Sequence, residues 1–424
     1  MKLASIDELQ EKLTPYYAVA AETTGKDLTV GRMERLLAHL GNPERKYRVI
    51  HIAGTSGKTS TTYFTANLLK TTGKKIGHTV SPHIESITER VQVDGAPLPE
   101  NQFLAYMGDF LERLQTAPET PSWFECMMAF AMWVFAQEKV DYAVIETGMG
   151  GLHDATNVCT AASKLCIITD IGLDHQKFLG NSLLAIATQK AGIIHEGNVV
   201  LMYEQADDAV KAVRFKVSQT EGAELYLQQQ TRLQAAYGGD FPPHMPEFQK
   251  RNWLLAYAAY RYIASRDTLM LADLAALTGT QQLQVPGRME RVRKGSKTVV
   301  LDGAHNVAKM TAFVDSFVHE YGDRKVPVLL ALKKDKDFES MIPILARIAS
   351  RLIVTTFTSS QDWPVEYIAP EKIIVSPGMA KITEVSSTRD AKNAFSELLE
   401  TQGDLVVVTG SFYLISDLKK KGLM

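Results

Sequence analysis

I-A-G-T-S-G-K-T-S, residues 52–60, is the stretch from which the fold follows. Y-R-V-I-H-I-A before it (47–53) reads as a buried strand, and T-S-T-T-Y-F-T-A-N-L-L-K after it (59–70) reads as a helix. A Gly-rich turn between strand and helix aims successive backbone N–H groups into one concavity. With the helix N-terminus behind them, those groups cradle a phosphate chain. Gly54 and Gly57 permit the tight backbone, Thr55, Ser56 and Ser60 complete the loop, Lys58 reaches the outer phosphates, and the Thr59 hydroxyl holds Mg²⁺. The general pattern G-x-x-x-x-G-K-[ST] needs a glycine where Ile52 stands; the first glycine is at 54, which gives the shorter G-T-x-G-K-[ST]. The plainer alternative is an ordinary Gly-rich strand–helix turn.

A chain of 424 residues suggests two or three domains with ample core. Hydrophobic residues at 45% and charged residues at 22% are those of an ordinary soluble globular protein. A net charge of −2 gives no bulk attraction for nucleic acid or an acidic membrane surface, so neither is expected as a partner. The three cysteines (Cys126, Cys159, Cys166) form no C-x-x-C, and their odd number argues against a disulfide framework. The start M-K-L-A-S-I-D-E-L-Q turns acidic too early for a signal peptide, and the longest apolar run, 127–136, is too short to span a bilayer. A cytoplasmic location is expected.

Around the phosphate loop, apolar residues mark further elements. Met33, Leu36, Leu37 and Leu40 follow helical spacing, ended by Gly41 and Pro43. A short strand is expected near 76–80, followed by Ser81-Pro82-His83-Ile84 and by T-E-R at 88–90. Pro99-Glu100 opens a helix with Phe103, Tyr106, Met107, Phe110, Leu111 and Leu114 on its inner face. Ser122 and Glu125 have capping-box spacing at the head of the next helix. Y-A-V-I (142–145) is a second buried strand running into Glu146, then Gly148, Gly150, Gly151 and Asp154-Ala155-Thr156-Asn157. L-C-I-I-T (165–169) is a third, running into Asp170 and on to Asp174-His175. Short β-rich runs separated by helical patterns indicate a parallel sheet with crossover helices.

In such sheets ligands bind at the carboxyl ends of the strands. The phosphate loop, Glu146 and His175 all follow predicted strands and converge on one edge. A carboxylate beside a phosphate site suits Mg²⁺, and an imidazole ligand admits Mn²⁺ as well. Plainer alternatives stand beside these: Glu146 as a helix cap or ion pair, His175 as a loop histidine bonded to Asp174 or Asp170. Lys190, taken alone, reads as a solvated helix lysine.

The second half has its own pattern. Residues 248–264 read as a helix with few polar interruptions, and 228–246 as an irregular connection. Val285-Pro286-Gly287 reads as a linker. Beyond it, β-rich runs at 298–301, 326–332, 352–356 and 405–409 alternate with helical patterns at 307–321, 341–350 and 391–399. The expected fold is α/β: an N-terminal P-loop domain with a mostly parallel sheet (1–284) and a C-terminal Rossmann-like α/β domain (285–424). On the residues alone, Asp302 is an N-cap and His305 a first-turn residue.

Taken together, the pieces resemble the folylpolyglutamate synthase/dihydrofolate synthase family of the Mur-type ATP-dependent amide ligases. They are G-T-S-G-K-T-S, S-P-H-I with T-E-R, S-W-F-E, V-I-E-T-G-M-G-G with D-A-T-N, L-D-H-Q-K-F-L-G, K-A-G-I-I, P-G-R-M-E, L-D-G-A-H-N, K-D-K-D and V-V-V-T-G-S-F-Y-L, in family order from residue 40 to 414. Ser56 stands where the family usually has Asn, Leu152-His153 where it has Arg-Leu, and Gln189 where it has Glu.

The resemblance implies roles. Lys58 binds the outer phosphates of ATP; Thr59, Ser81 and Glu146 hold Mg²⁺. Glu146, His175 and Lys190 face a second metal, with Lys190 carbamylated. Asn252 reads adenine, Arg288 contacts phosphate, and Asp302 and His305 meet ribose and phosphates. Lys58, Glu146, His175 and Lys190 are then the catalytic group. The expected substrates are folate, L-glutamate and ATP, the expected reaction passes through an acyl phosphate, and a monomer is expected. Three rivals remain at this point. One is a bifunctional dihydrofolate synthase acting on dihydropteroate. Another is a peptidoglycan-precursor ligase, which usually carries an extra N-terminal domain of about 100 residues, whereas 53 residues precede Gly54 here. The last is a non-catalytic P-loop protein, which has no reason to gather Glu146, His175 and Lys190.

Overall fold

The computed structural model describes residues 1–22, 30–358 and 365–424. The chain is mixed α/β and divides into two compact units. The first comprises 1–83, 87–241 and 251–281; the second comprises 84–86, 242–250 and 282–424.

The first unit is built on an eight-stranded sheet: β1 (Arg48–Ala53), β2 (Ile76–Thr79), β3 (Gln92–Val93), β4 (Ala96–Pro97), β5 (Tyr142–Glu146), β6 (Leu165–Ile168), β7 (Val199–Tyr203) and β8 (Glu224–Gln228), in the order β4-β3-β2-β5-β1-β6-β7-β8. Along β2-β5-β1-β6-β7-β8 every pairing is parallel, while β3 pairs antiparallel with both β2 and β4. β1 lies between β5 and β6, with Ile52 opposite Glu146 and Ala53 opposite Ile168. That register brings the carboxyl ends of the three strands level, so the loops leaving them open on one edge. The central strands are buried throughout, Y-A-V-I-E and L-C-I-I alike, as a sheet covered on both faces requires.

The helix Trp123–Gln137 shows the same logic from the helical side. Nearly every side chain from Trp123 to Phe135 is buried, so it is apolar all round and lies inside the core. Ser122 and Glu125 form the reciprocal capping box at its head, which satisfies N–H groups that burial would otherwise orphan. Phe103 and Phe110 of the helix Glu100–Leu114 pack edge-on against Phe130, at 5.1 and 5.4 Å between centroids.

The second unit carries a six-stranded sheet: β9 (Arg288–Lys294), β10 (Lys297–Asp302), β11 (Val326–Leu330), β12 (Ala349–Val354), β13 (Glu384–Ser387) and β14 (Leu405–Thr409), in the order β13-β12-β11-β14-β10-β9. Only the β9–β10 pair is antiparallel. The helices Val307–Tyr321 and Ala391–Glu400 follow the predicted periodicity closely.

Three expectations are corrected. Residues 228–246 are not wholly irregular, since Gln230–Tyr237 is a helix that buries Leu233 and Tyr237. The helix expected at 341–350 is Phe338–Leu345, and Ala349 already begins β12; Asp337 caps it earlier by accepting from Ser340 N. Asp302 is the last residue of β10 rather than an N-cap; Asn306 caps the following helix through Lys309 N, which leaves His305 outside its first turn.

Candidate active site

β1 ends at Ala53, and the loop turns on Gly54 and Gly57 into the helix Lys58–Lys70. Gly57 has φ +90°, and a Cβ there would lie 2.4 Å from Asn252 Oδ1. At Gly54 the constraint is close approach: a Cβ would stand 1.7 Å from Thr169 Oγ1. Both positions therefore exclude side chains. The loop is strapped to the segment after β6. Thr55 N and Ser56 N both donate to Asp170 O (2.9 and 3.1 Å), and Thr55 Oγ1 donates to Gly172 O at 3.0 Å. Those two amides are therefore already engaged. The donors aimed at an anion are the ones that open the helix at Lys58–Thr59, where no intrahelical acceptor exists.

Five predicted residues meet at this edge. Lys58 Nζ donates to Gly54 O at 3.1 Å, and Lys190 Nζ donates to the same oxygen at 2.7 Å. Thr59 Oγ1 donates to Glu146 Oε1 at 2.9 Å, while Ser81 N donates to Glu146 Oε2 at 3.2 Å. Glu146 is thus no helix cap; it joins the phosphate-loop hydroxyl to the Ser81 backbone. Lys190 is 3% exposed in the last turn of the helix Leu183–Ala191, so it is not a solvated lysine. A hydroxyl and a carboxylate side by side beneath a helix N-terminus form a hard oxygen set of the kind Mg²⁺ takes alongside nucleotide phosphates.

His175 stands apart from this group in character. It is exposed, has φ +50°, and precedes the short helix Gln176–Leu179. Its backbone N donates to Asp174 Oδ1 at 3.0 Å. Among the described residues no three His, Cys, Asp or Glu side chains are grouped as a ready-made metal site.

Asn252 is buried against Gly57. Its neighbour Arg251, to which sequence reasoning assigns no role, organises this corner. Arg251 makes a two-pronged pair with Asp170 (Nη2–Oδ1 2.7 Å, Nε–Oδ2 3.0 Å), and its guanidinium lies 3.8 Å from the centroid of the Tyr203 ring. Tyr203 Oη in turn donates to Arg251 O at 2.8 Å. Asp170 therefore receives the phosphate loop on its carbonyl and Arg251 on its carboxylate, tying Asn252 to the loop. The only signal in the sequence is Asp170 at the end of a predicted strand.

The Gly-rich stretch after β5 seats Lys190. Leu152 N donates to Gln189 O at 2.8 Å, and a Cβ on Gly151 would lie 2.8 and 2.9 Å from the Gln189 and Lys190 carbonyls. Asn157 Nδ2 holds Leu152 O and Gly192 O at 3.0 and 3.2 Å.

In the second unit, Asp302 is buried and accepts from Met289 N (3.0 Å) and Ala304 N (2.8 Å). Burial raises its pKa to about 6, against the opposing pull of Arg288. The Arg288 guanidinium lies 4.3 Å from the Phe412 ring centroid, and His305 meets that ring edge-on at 6.1 Å. His305 Nδ1 bonds Gly303 O at 2.7 Å, and Nε2 faces Lys309 Nζ at 3.0 Å. Side chains at Gly287 or Gly303 would strike Phe412, so the ring sits hard against both backbones. In the sequence Phe412 is one letter of a motif; its role as the platform for Arg288 and His305 is a tertiary fact.

Residues 52–231 match the Mur ligase middle domain, and residues 287–412 match the Mur ligase glutamate ligase domain. The chain is 30% identical over 416 residues to the dihydrofolate synthase/folylpolyglutamate synthase of Bacillus subtilis (strain 168), covering 92% of this chain and 94% of that protein. It is 30% identical over 412 residues to the folylpolyglutamate synthase of Lacticaseibacillus casei, covering 92% and 93%. The crystal structure of Mycobacterium tuberculosis folylpolyglutamate synthase complexed with ADP and AMPPCP superposes with a TM-score of 0.78 at 27% identity, over 93% of this chain and 95% of that one.

Proposed function

The chain belongs to the folylpolyglutamate synthase/dihydrofolate synthase family of Mur ligases and is an ATP-dependent acid–amino-acid ligase; on that premise we propose that it joins L-glutamate to tetrahydrofolate or a folyl-glutamate through an acyl phosphate. The observation that carries the chemistry is the pair of lysines, Lys58 and Lys190, on the Gly54 carbonyl, together with the Thr59–Glu146 contact at the head of the same helix. A carboxylate is a poor acyl donor. Transfer of the γ-phosphoryl of ATP to it makes a mixed anhydride, which the glutamate amine attacks as phosphate leaves. Little covalent work falls to the protein; positioning and charge neutralisation do.

Residue roles derive from that chemistry. Lys58 neutralises the transferring phosphoryl, and the first-turn amides of its helix orient the phosphates. Thr59, Ser81 and Glu146 would hold Mg²⁺, which supplies Lewis-acid charge when bound. Asn252 is assigned to adenine. In the second unit Arg288, Asp302 and His305 are assigned to nucleotide contacts. Residues 1–284 are assigned to ATP binding and 285–424 to the ligase half.

Lys190 is assigned as a carbamate that joins Glu146 and His175 at a second metal, Mg²⁺ or Mn²⁺. The ammonium first gives up one proton; the neutral amine then adds to carbon dioxide, a C–N bond forms and a second proton leaves, so a cation becomes an anion. The carbamate would keep one N–H able to donate to Gly54 O and would remove the repulsion between two ammonium groups on one carbonyl. We further assign the enzyme to the cytoplasm as a monomer. Its three buried cysteines are free, and among the described residues no helix is long and apolar enough to cross a membrane.

The second reading, dihydrofolate synthesis from dihydropteroate, is favoured by the double name of the Bacillus relative. A substrate panel separates the two. ADP release is measured with tetrahydrofolate, dihydropteroate and a UDP-linked muramyl peptide, each with and without L-glutamate. Glutamate-dependent release with tetrahydrofolate is expected; release with the muramyl peptide alone would overturn the proposal.

A further inference from the structure

A buried chain of hydrogen bonds lies behind the site, and the chemistry above gives it no task. His51 is on β1, three residues before Gly54, and is fully buried. Its Nε2 lies 2.8 Å from Thr156 Oγ1. Thr156 Oγ1 donates to Asp154 Oδ1 at 2.5 Å, and Asp154 also accepts from Thr156 N (3.0 Å) and, on Oδ2, from Met149 N (2.8 Å). The direction of the chain is determined by proton count. Burial pushes the Asp154 pKa up, but backbone N–H donors on both of its oxygens, from Met149 and Thr156, favour the carboxylate; with Asp154 ionised, the one hydroxyl proton goes to it and His51 is the donor to Thr156. His51 Nδ1 is buried with no partner among the described residues. A bare lone pair there costs less than a buried, unmatched N–H, which favours the Nε2–H tautomer independently. Burial, with Lys164 and His195 nearby, holds the His51 pKa well below the usual range, so the ring is neutral.

The chain of bonds holds the loop at 148–151. Met149 N is bonded to Asp154, Asp154 N donates to Gly151 O at 3.1 Å, and Gly151 lies directly against the Gln189 and Lys190 carbonyls. Lys190 reaches Gly54 O from that seat. We propose that His51, acting through Thr156 and Asp154, is a positioning residue that sets the loop at 148–151 against the helix carrying Lys190 and so fixes the Lys190 amine on the phosphate loop. β1 thereby positions the site twice, once through Gly54 and once through His51. The proposal rests on the ligase reading for its consequence, since only there does Lys190 have work to do.

Thr156→Val replaces the hydroxyl by a methyl of similar size and removes both side-chain bonds; Thr156→Ser keeps them. Misplacing a reacting group by about 1 Å costs about 10²-fold. The expected result is a kcat lower by about 10²-fold in Thr156→Val with KM for ATP nearly unchanged, and Thr156→Ser close to the parent. Equal losses in both variants, or a Thr156→Val loss that vanishes when rates are normalised to folded protein, would overturn the proposal.

A second measurement needs no activity. In ¹⁵N-histidine-labelled parent enzyme, with His51→Phe for assignment, the His51 ring should be the neutral Nε2–H tautomer throughout about pH 5 to 8. An Nδ1–H tautomer, or titration like a free imidazole, would overturn it. A parent without glutamate-dependent ADP release would remove the positioning role as well, and the ¹⁵N signature then identifies the functional reading as the part that failed.

Discussion

Lys58 and Lys190 donate to one acceptor, the carbonyl of Gly54, at 3.1 and 2.7 Å. One lysine belongs to the phosphate loop itself and the other to the last turn of a helix far along the chain. Two ammonium groups on one oxygen repel by an amount on the order of a few kcal/mol in a partly buried setting. An anion there, a phosphate between them or the carbamate proposed for Lys190, would relieve that repulsion.

For Lys58 the expectation is loss of chemistry without loss of fold. Lys58→Ala should lower ADP formation by at least about 10²-fold, since a transition-state charge contact is removed. The Lys58 ammonium bonds a carbonyl of its own loop, so the thermal midpoint should move little. Substantial glutamate-dependent turnover in the purified variant would show that the ATP-site assignment is wrong.

Lys190 is tested by charge against chemistry. Lys190→Ala should lose most activity, and added acetate should restore part of it by standing in for the carbamate. Lys190→Arg keeps the cation but cannot form the carbamate, so it should remain inactive. Parent-like activity in Lys190→Arg would mean that the residue acts as a cation alone.

Arg251 should behave as a nucleotide-affinity residue. Arg251→Gln breaks the pair with Asp170 and the stacking on Tyr203, loosening the hold on Asn252 and the loop. Asp170 and Arg251 are both partly exposed, so solvent screening keeps the stability loss near about 1 kcal/mol. A rise of about tenfold in KM for ATP is expected, with a smaller change in kcat. Unchanged KM would show that the strap does not govern nucleotide binding.

Asp302 makes the second unit pH-sensitive in a defined direction. Burial raises its pKa to about 6, above the unfolded value of about 3.9. The folded state therefore binds the proton more tightly, and stability falls as pH rises from about 4 to about 6, then levels off. Over the full span the loss is on the order of 3 kcal/mol. In Asp302→Asn that slope should be missing, whatever constant penalty the amide adds. Denaturant titrations of both proteins at several pH values between about 4 and 7 give the difference; identical slopes would contradict the burial argument.

The sequence by itself determined the local pieces. Gly54, Gly57, Lys58 and Thr59 declare a strand, a turn and a helix N-terminus, because only glycine tolerates such backbone contact and an amine followed by a hydroxyl completes the phosphate-loop pattern. The continuous apolar runs of β5, β6 and β14 announce buried parallel strands. Edge strands are harder to read: E-L-Y-L-Q of β8 and E-V-S-S of β13 face solvent in part, so their composition is mixed.

Tertiary structure alone decided which of these pieces touch. The register of β1 between β5 and β6 puts Glu146 against Thr59 and Asp170 against the loop amides. Spacing along the chain carries no record of that pairing, since hydrogen bonds and desolvation act across space. For the same reason Lys190, which reads as a solvated helix residue, lies buried on Gly54, and Arg251, Phe412 and His51 gain roles that their own neighbours in the sequence do not imply.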